Sequence, residues 1–283
     1  MRTFYFPIEK LFKKGLRPRV DVPANGEFLS AVTNMKPGLR GLETVLLGAR
    51  TFNLNADAQV FTCYKGVYVL TTTQLYEYVD GALVELVNGI LSGGLWSCAD
   101  FRSFIVFTNG AQTVYFNGTT FVKDSGTYLP IALSVCNFRG RLILGGPSGS
   151  AFNGKDNWVA WTEPGNIKLL AATDTTSFRR NTAGYIPMPW EGIVYKVLPL
   201  NDKCIVYGNN GITALYLAPL PTGGGTLGLK HLSDIGLKGQ GSVCSNGKED
   251  ASSEHTFVDS NGWLCRLTNE LKVTKLGFKE FLV

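Results

Sequence analysis

One stretch of the chain has the spacing of a phosphate-binding loop. Residues Gly149–Lys155 read Gly-Ser-Ala-Phe-Asn-Gly-Lys, which matches the Gly-x4-Gly-Lys pattern. In a nucleotide-binding loop a Ser or Thr comes next, because its hydroxyl binds magnesium, and a helix then points its N-terminus at the phosphates. Here Asp156 follows, and Trp158–Trp161 has the composition of a strand. The sequence therefore predicts a loop that binds no nucleotide.

Residues for nucleophilic or metal chemistry are few and scattered. The six cysteines contain no Cys-x-x-Cys pair. Four of them lie in apolar, strand-like patterns: Cys63, Cys98, Cys136 and Cys244. We expect reduced thiols packed as small core residues. The two histidines, His231 and His255, follow no Gly-x-Ser-x-Gly turn, and His255 with its acidic neighbours is typical of polar surface. The sequence predicts no enzyme activity, no cofactor and no metal.

Sugar chemistry is the alternative that the sequence leaves open. Glycosidases need two carboxylates that face each other across a pocket, and the acids here are sparse and mostly in predicted turns. The Ser-x-Asp-x-Gly-x-Thr-Trp turns of sialidases are absent. Five tryptophans could act as sugar platforms, although a Trp in an alternating apolar strand is usually core. A carbohydrate-binding or glycoside-cleaving protein that acts at a host surface remains the alternative function.

The elements that must position these residues repeat along the chain. One pattern recurs from Val60, Leu95, Ile131 and Val194. It consists of a short apolar run, a polar corner, an aromatic-rich run, a Gly corner, a further aromatic run and an Asn-Gly or Asp-Gly turn. Four short strands joined by tight turns form a propeller blade, which buries both faces by stacking on its neighbours. A divergent unit follows from Gln240. The sequence predicts an all-β, β-propeller-like domain of about five blades.

The repeat does not extend to the first 42 residues, which are basic and interrupted by Pro18, Pro23 and Pro37. We predict an extended N-terminal arm over residues 1–42 and the β-propeller-like domain over 43–283. A strand at 44–52 is expected to complete the blade begun at the other end of the chain. Longer loops are predicted at 145–157, 171–192 and 218–230, the last with a flexible, Gly-rich tip at 221–225.

Composition favours a subunit that buries surface against partners. Charged residues make up 17% of the chain, hydrophobic residues 45%, and the net charge is +5, which is too small to indicate nucleic-acid binding by itself. No apolar run approaches the roughly 20 residues of a membrane helix, and the N-terminus lacks a secretory signal pattern. We therefore expect synthesis and assembly in a cytoplasm.

Partner binding is predicted in the segments that break the repeat, because blade stacking uses the strand positions. The candidate interface residues are Lys13, Lys14, Arg17 and Arg19 in the arm, and Phe178, Arg179 and Arg180 in the long loop. An arm with no core of its own gains order by lying on another subunit. An aromatic anchor beside two guanidinium groups is a combination enriched at interface centres. A merely solvated arm and loop are the alternative.

Several segments resemble virion proteins of tailed bacteriophages. They are Asn34–Gly41, with its Asn-Met and Pro-Gly pairs; Phe138–Leu142, with Arg-Gly-Arg; Trp158–Asn166, with Trp-Thr-Glu-Pro-Gly-Asn; Asn201–Tyr216; Ile235–Val243; and Phe257–Trp263. Their order and spacing are similar to the tail-hub, or packaged-DNA stabilisation, proteins of short-tailed phages, over roughly residues 34–270. Members of that family usually continue past the point where this sequence ends.

The resemblance implies a structural protein of the phage tail or head-to-tail connection. Such a protein forms a homo-oligomeric ring that extends the DNA channel and helps retain packaged DNA. The implied partners are other virion proteins (the portal, an adaptor or connector, a tail fibre or tailspike), with non-specific proximity to packaged DNA and no membrane anchor. The implied location is the virion tail, after assembly in the host cytoplasm. A cytoplasmic scaffold propeller is a third possibility.

Overall fold

The computed structural model describes residues 35–38, 41–44, 54, 57–124, 126, 129–149, 152, 154–167, 183–219, 225–247 and 252–277. The chain divides into two units, Met1–Asn53 and Leu54–Val283. In the first unit, strands β1 (Met35–Gly38) and β2 (Gly41–Thr44) form an antiparallel hairpin. The predicted boundary after residue 42 falls inside β2, and the extended arm remains a prediction.

The second unit consists of five four-stranded antiparallel sheets, here called blades 1 to 5. Blade 1 contains β3 (Gln59–Cys63), β4 (Gly66–Leu70), β5 (Gln74–Val79) and β6 (Ala82–Asn88). Blade 2 contains β7 (Ser97–Phe101), β8 (Phe104–Thr108), β9 (Thr113–Phe116) and β10 (Phe121–Asp124). Blade 3 contains β11 (Ile131–Phe138), β12 (Arg141–Ser148), β13 (Trp158–Trp161) and β14 (Gly184–Pro187).

Blade 4 contains β15 (Val194–Leu200), β16 (Lys203–Gly208), β17 (Ile212–Pro219) and β18 (Gly225–Ser233). Blade 5 contains β19 (Val243–Ser245), β20 (Glu254–Val258), β21 (Leu264–Thr268) and β22 (Val273–Gly277). Within each blade the strands pair in chain order. The predicted all-β, β-propeller-like fold of about five blades is confirmed.

Tight two-residue turns join the first two strands of blades 2, 3 and 4. Their first residues, Arg102, Arg139 and Asn201, have φ angles of 55°, 52° and 53°. Such left-handed turns match the right-handed twist of the strands that they connect. In blade 3 the second turn residue is Gly140, with φ 71°, which a residue without a Cβ adopts at little cost. These turns fix where each innermost strand ends.

Buried apolar side chains fill four interfaces between successive blades. Representative pairs are Leu70 and Phe107 (blades 1 and 2), Phe101 and Leu144 (2 and 3), Trp161 and Val206 (3 and 4), and Tyr207 and Phe257 (4 and 5). Within the described ranges, no buried cluster of this kind joins blade 5 to blade 1. The Gln240 amide, which precedes β19, donates to the backbone oxygens of Leu95, just before blade 2, and of Leu133 in blade 3, at 3.1 and 2.7 Å.

Some predicted boundaries were wrong. The segments predicted as loops at 171–192 and 218–230 contain the outer strands β14 and β18, and Gly225 of the predicted Gly-rich tip begins β18. The remainder of that tip, 221–224, lies outside the described residues. Blade 5 takes its four strands from residues 243–277, so no strand from 44–52 is needed to supply them, and residues 45–53 lie outside the described part. No helix in the described residues could span a membrane.

Candidate functional site

The first strands of all five blades converge on a cavity of about 230 Å³, here called the axial cavity. Its lining residues are Phe61 and Thr62; Ser97, Cys98, Ala99 and Asp100; Val135, Cys136 and Asn137; Lys196, Leu198 and Pro199; and Ser245 with Gly247. Each group comes from, or directly follows, the innermost strand of one blade. The blade repeat therefore gathers side chains that are far apart in sequence around one central space.

A polar residue occupies the same position in the innermost strand of blades 1 to 4. Gln59, Ser97, Ser134 and Lys196 each stand four residues before the last residue of their strand. Ser97 contacts two of the others, since its hydroxyl oxygen is 3.2 Å from that of Ser134 and accepts from Lys196 Nζ at 3.2 Å, whereas Gln59 Oε1 accepts from the Trp96 N–H at 2.6 Å. Ser134 Oγ accepts from the Val197 backbone N–H at 3.1 Å. These residues, here called the polar belt, thus place polar groups beside the axial cavity.

Lys196 is the one basic side chain among the described residues that line the cavity, and Asp100 is the one carboxylate. Burial lowers the pKa of the Lys196 ammonium. Asp100 Oδ1 accepts from the Tyr64 backbone N–H at 3.1 Å. In the described part of the chain, the hydrogen bond to Ser97 is the one that the structure shows for the Lys196 ammonium, and it forms no ion pair.

Thiols surround the cavity in two pairs. Cys63 and Cys98 have their Sγ atoms 3.3 Å apart between blades 1 and 2, and Cys136 and Cys204 have theirs 3.6 Å apart between blades 3 and 4. All six cysteines are free thiols in the structure. The prediction that Cys244 is a core residue was wrong, because it is exposed on β19. It lies on the face of blade 5 that does not pack on blade 4.

His255 lies in the core, which contradicts the prediction of a polar surface histidine. It is fully buried in β20 between blades 4 and 5. Its Nε2 is 2.9 Å from the Pro199 carbonyl oxygen, and its Nδ1 is 2.9 Å from the Tyr207 hydroxyl. Burial lowers the pKa of His255 to about 4, so the ring is neutral near pH 7. Alternation along β20 places it on the same face as Phe257, whereas its acidic neighbours suggested exposure.

The remaining candidates for chemistry, a lysine and the tryptophans, lie against aromatic rings or lysines or in the core. The Lys155 ammonium of the phosphate-loop lookalike lies 4.6 Å from the centre of the Trp158 ring. Of the tryptophans, Trp96, Trp161 and Trp190 are buried. The Lys275 ammonium lies 5.4 Å from the Trp263 ring centre, so lysines contact both partly exposed tryptophan rings. No group of three or more His, Cys, Asp or Glu residues in the described ranges is placed to hold a metal ion.

All seven predicted interface residues lie outside the described residues: Lys13, Lys14, Arg17, Arg19, Phe178, Arg179 and Arg180. Their role as an interface stays a prediction. Sequence reasoning missed Lys196, which it treated as part of an apolar strand. The signal that could have revealed Lys196 is a polar residue that recurs four residues before the end of the first strand in blades 1 to 4.

Exposed apolar side chains are concentrated on blade 1. Val60, Tyr78, Val79, Val84 and Leu86 are 65%, 40%, 41%, 47% and 38% exposed. Val60 lies on β3 beside Phe61, which packs into the core shared with blade 2, so alternation turns Val60 away from that core. Because Tyr78 and Val79 are consecutive on β5, these exposed residues lie on both faces of the blade.

No protein-family model and no curated protein matches the chain. Among solved structures, it is similar to BBS1N, crystallised in complex with ARL6DN and soaked with lead, at 13% identity and a TM-score of 0.44, covering 76% of this chain and 66% of that one. Kluyveromyces lactis Hsv2 is 13% identical with a TM-score of 0.44, over 80% and 65%. The extracellular domain of a hybrid two-component system from B. thetaiotaomicron is 12% identical with a TM-score of 0.48, over 80% and 28%. This chain spans 66% or less of the length of each of them.

Proposed function

We propose that this protein is a structural component of a phage virion, in the tail or at the head-to-tail connection. The observation that carries the proposal is that segments which carry the resemblance contact one another. The Arg-Gly-Arg turn of blade 3 meets the segment that follows β13: Gly140 O accepts from the Gly165 N–H at 2.7 Å, and the buried Arg141 Nη1 donates to Thr162 O at 3.4 Å. These two segments therefore behave as one structural unit.

The last two segments of the resemblance are joined in the same way. The backbone of Leu237 bridges to that of Asp259, the Lys238 N–H donates to Val258 O at 3.0 Å, and the Ser260 N–H donates to Gly236 O at 2.9 Å. The Asp259 carboxylate closes its own turn by accepting from the Asn261 and Trp263 N–H groups at 2.9 and 2.8 Å. Order and contact both support the view that these segments form a shared scaffold.

A scaffold of this kind works through its surface. The exposed apolar residues of blade 1 (Val60, Tyr78, Val79, Val84 and Leu86) supply contact area. The proposed partners are further copies of the chain in a ring and other virion proteins: the portal, an adaptor or connector, and a tail fibre or tailspike. The proposed role is to extend the DNA channel and help retain packaged DNA, within the virion tail.

Imaging the purified full-length chain tests this proposal. We expect negative-stain micrographs and mass photometry to show closed rings of several copies, alone or when the chain is co-expressed with a portal protein. Replacement of Val60 and Val84 by Asp should reduce ring formation, whereas replacement of Lys238, an exposed residue outside blade 1, by Asp should not. A chain that stays monomeric under all these conditions and hydrolyses a chromogenic glycoside would instead support the sugar-directed alternative.

A further inference from the structure

We propose that the axial cavity is a binding site for a short-chain carboxylate anion, held by Lys196. This inference concerns the interior of the five blades and is independent of the proposed role in a virion. It rests on the position of one amine, the groups around it, and the size of the space that it faces.

The first step is the incomplete hydrogen bonding of Lys196. An ammonium group has three N–H donors, and in the described residues one of them is used, on Ser97 Oγ at 3.2 Å. Ser97 itself is committed elsewhere, since its Oγ contacts Ser134 Oγ at 3.2 Å and the Val135 carbonyl at 3.1 Å. Buried cations are normally paired with an acceptor or a counter-charge. Lys196 therefore has the capacity to hold a ligand that brings negative charge.

The second step is the electrostatic setting. The thiols beside Lys196 do not neutralise it, because the Cys63 thiol and burial raise the pKa of Cys98 well above its usual range. The cavity contains a carboxylate, Asp100, which binds the Tyr64 N–H and forms no ion pair with Lys196. One positive and one negative group within a single cavity accommodate a monoanion, whereas a dianion such as sulfate meets repulsion from Asp100.

The third step is the size and lining of the space. A volume of about 230 Å³ accepts a few heavy atoms and excludes a large metabolite. Apolar groups from Phe61, Ala99 and Leu198 line it together with Lys196. A charged end that binds an ammonium group and a short apolar tail match that mixture. A carboxylate with a two- to four-carbon chain has both parts.

The test is thermal unfolding of the full-length protein at pH 6.5 in sodium butyrate, compared with sodium chloride at equal ionic strength. Ligand at ten times its Kd should raise the Tm by about 3–6 °C, with saturation. Lys196→Met should abolish the increase, and Lys238→Met, which removes an exposed lysine outside the cavity, should retain it. Without ligand, Lys196→Met should unfold at or above the wild-type Tm, because it removes a poorly paired, partly buried charge.

Isothermal titration of butyrate into the wild-type protein gives a second readout that does not depend on any variant folding. A saturable heat supports the site. The proposal is overturned if no saturable heat is seen with butyrate at up to about 100 mM, a hundredfold excess over a millimolar Kd. An equal Tm increase in Lys196→Met overturns it as well. Saturable stabilisation by sodium sulfate that exceeds that by butyrate and is lost in Lys196→Met also overturns it, since the Asp100 argument then fails.

Discussion

At the scale of single residues, two basic side chains of the interior are in opposite situations: His255 is fully buried, and Lys196 is partly buried. His255 has a partner on each ring nitrogen: a carbonyl can only accept, so Nε2 carries the proton that it donates to Pro199 O, and Nδ1 accepts from the Tyr207 hydroxyl. Lys196 has a single partner in the described residues and faces a cavity. The His255 imidazole joins two blades, and the Lys196 ammonium faces a space that can hold a ligand.

The buried histidine should make the protein sensitive to acid. Its pKa is about 4 in the folded state against 6.5 as the ordinary value, so between these values the unfolded chain binds more protons than the folded one. Its contribution is therefore fully present above pH 6.5 and is lost as the pH falls towards 4. The expected decrease in unfolding free energy is about 3 kcal/mol, measured by urea denaturation at a series of pH values.

His255→Gln is the matched control for this titration, since glutamine is neutral throughout the range. Carboxylates titrate in both proteins, so the difference between the two stability curves isolates the imidazole. We expect the difference to change between pH 6.5 and 4 and to be constant above pH 7. Two parallel curves over the whole range would show that His255 is not the acid-sensitive group.

The thiol pair Cys63 and Cys98 should be the first to form a disulfide when the protein is oxidised. Both pairs have close sulfur atoms and one member each in the cavity lining, but Cys136 and Cys204 are buried whereas Cys98 is partly exposed. The attacking species is the thiolate, and the raised pKa of Cys98 means that the reaction should accelerate from pH 7 to 9.

This oxidation is measured by peptide mapping after diamide treatment in a Cys244→Ser background, which removes the exposed thiol. The expected product is a cross-linked pair of peptides containing Cys63 and Cys98. Cys98→Ser should prevent that product and leave any Cys136–Cys204 reaction unchanged. If the fully buried pair reacts faster, access through the cavity does not control the chemistry.

At the scale of elements, the three inner strands of each blade were more predictable than the outermost strand. Strand β16 (Lys203–Gly208) is buried along nearly its whole length, so its apolar run was plain in the sequence. Strands β14 and β18 were predicted as loops. An outermost strand pairs on one edge only, and its side chains can be mostly exposed, as those of β6 are. Its sequence therefore resembles that of a loop.

The cavity was less predictable than the strands around it. A register shift lies between Val194 and Lys196 on β15, and such a bulge interrupts the alternation that tells inward from outward positions. The sequence alone therefore did not give the direction of Lys196. Its hydrogen-bond partner Ser97 comes from β7, and the neighbouring Val197 N–H donates to Ser134 of β11; both strands precede β15 by more than fifty residues, and blade stacking brings them together. Local patterns predict strands, whereas the stacking of blades makes the site.

The turn between β11 and β12 gives a test at this scale. Gly140 has φ 71°, and a Cβ added there would have no heavy atom within 4 Å, so Gly140→Ala probes backbone conformation without a steric clash. We expect a loss of about 1–2 kcal/mol in unfolding free energy, measured by chemical denaturation. Gly239→Ala is the matched control, because that position is equally open and has no left-handed φ, and it should be neutral or slightly stabilising.

At the scale of the whole molecule, the second unit contains what it needs to fold. Its five blades and four buried clusters are all composed of residues from Leu54 onward. Its interior contains buried polar side chains such as Arg141 and His255 besides the polar belt, and its exposed apolar residues are concentrated on blade 1. Stability and partner binding should therefore depend on different parts of the chain.

Deletion of residues 1–53 tests that separation. We expect the remaining protein to give a strand-dominated circular dichroism spectrum and cooperative thermal unfolding, because no interblade cluster is removed. We also expect it to lose ring formation in mass photometry, since the predicted connecting arm is gone. The matched variant is the undeleted chain with four basic residues replaced by Ala: Lys13, Lys14, Arg17 and Arg19. If this variant loses the rings, the basic side chains cause the effect. If it keeps them, the rest of the deleted segment does. A truncated protein that still forms rings of normal copy number would mean that the arm is not the connector and that the blades themselves hold the assembly.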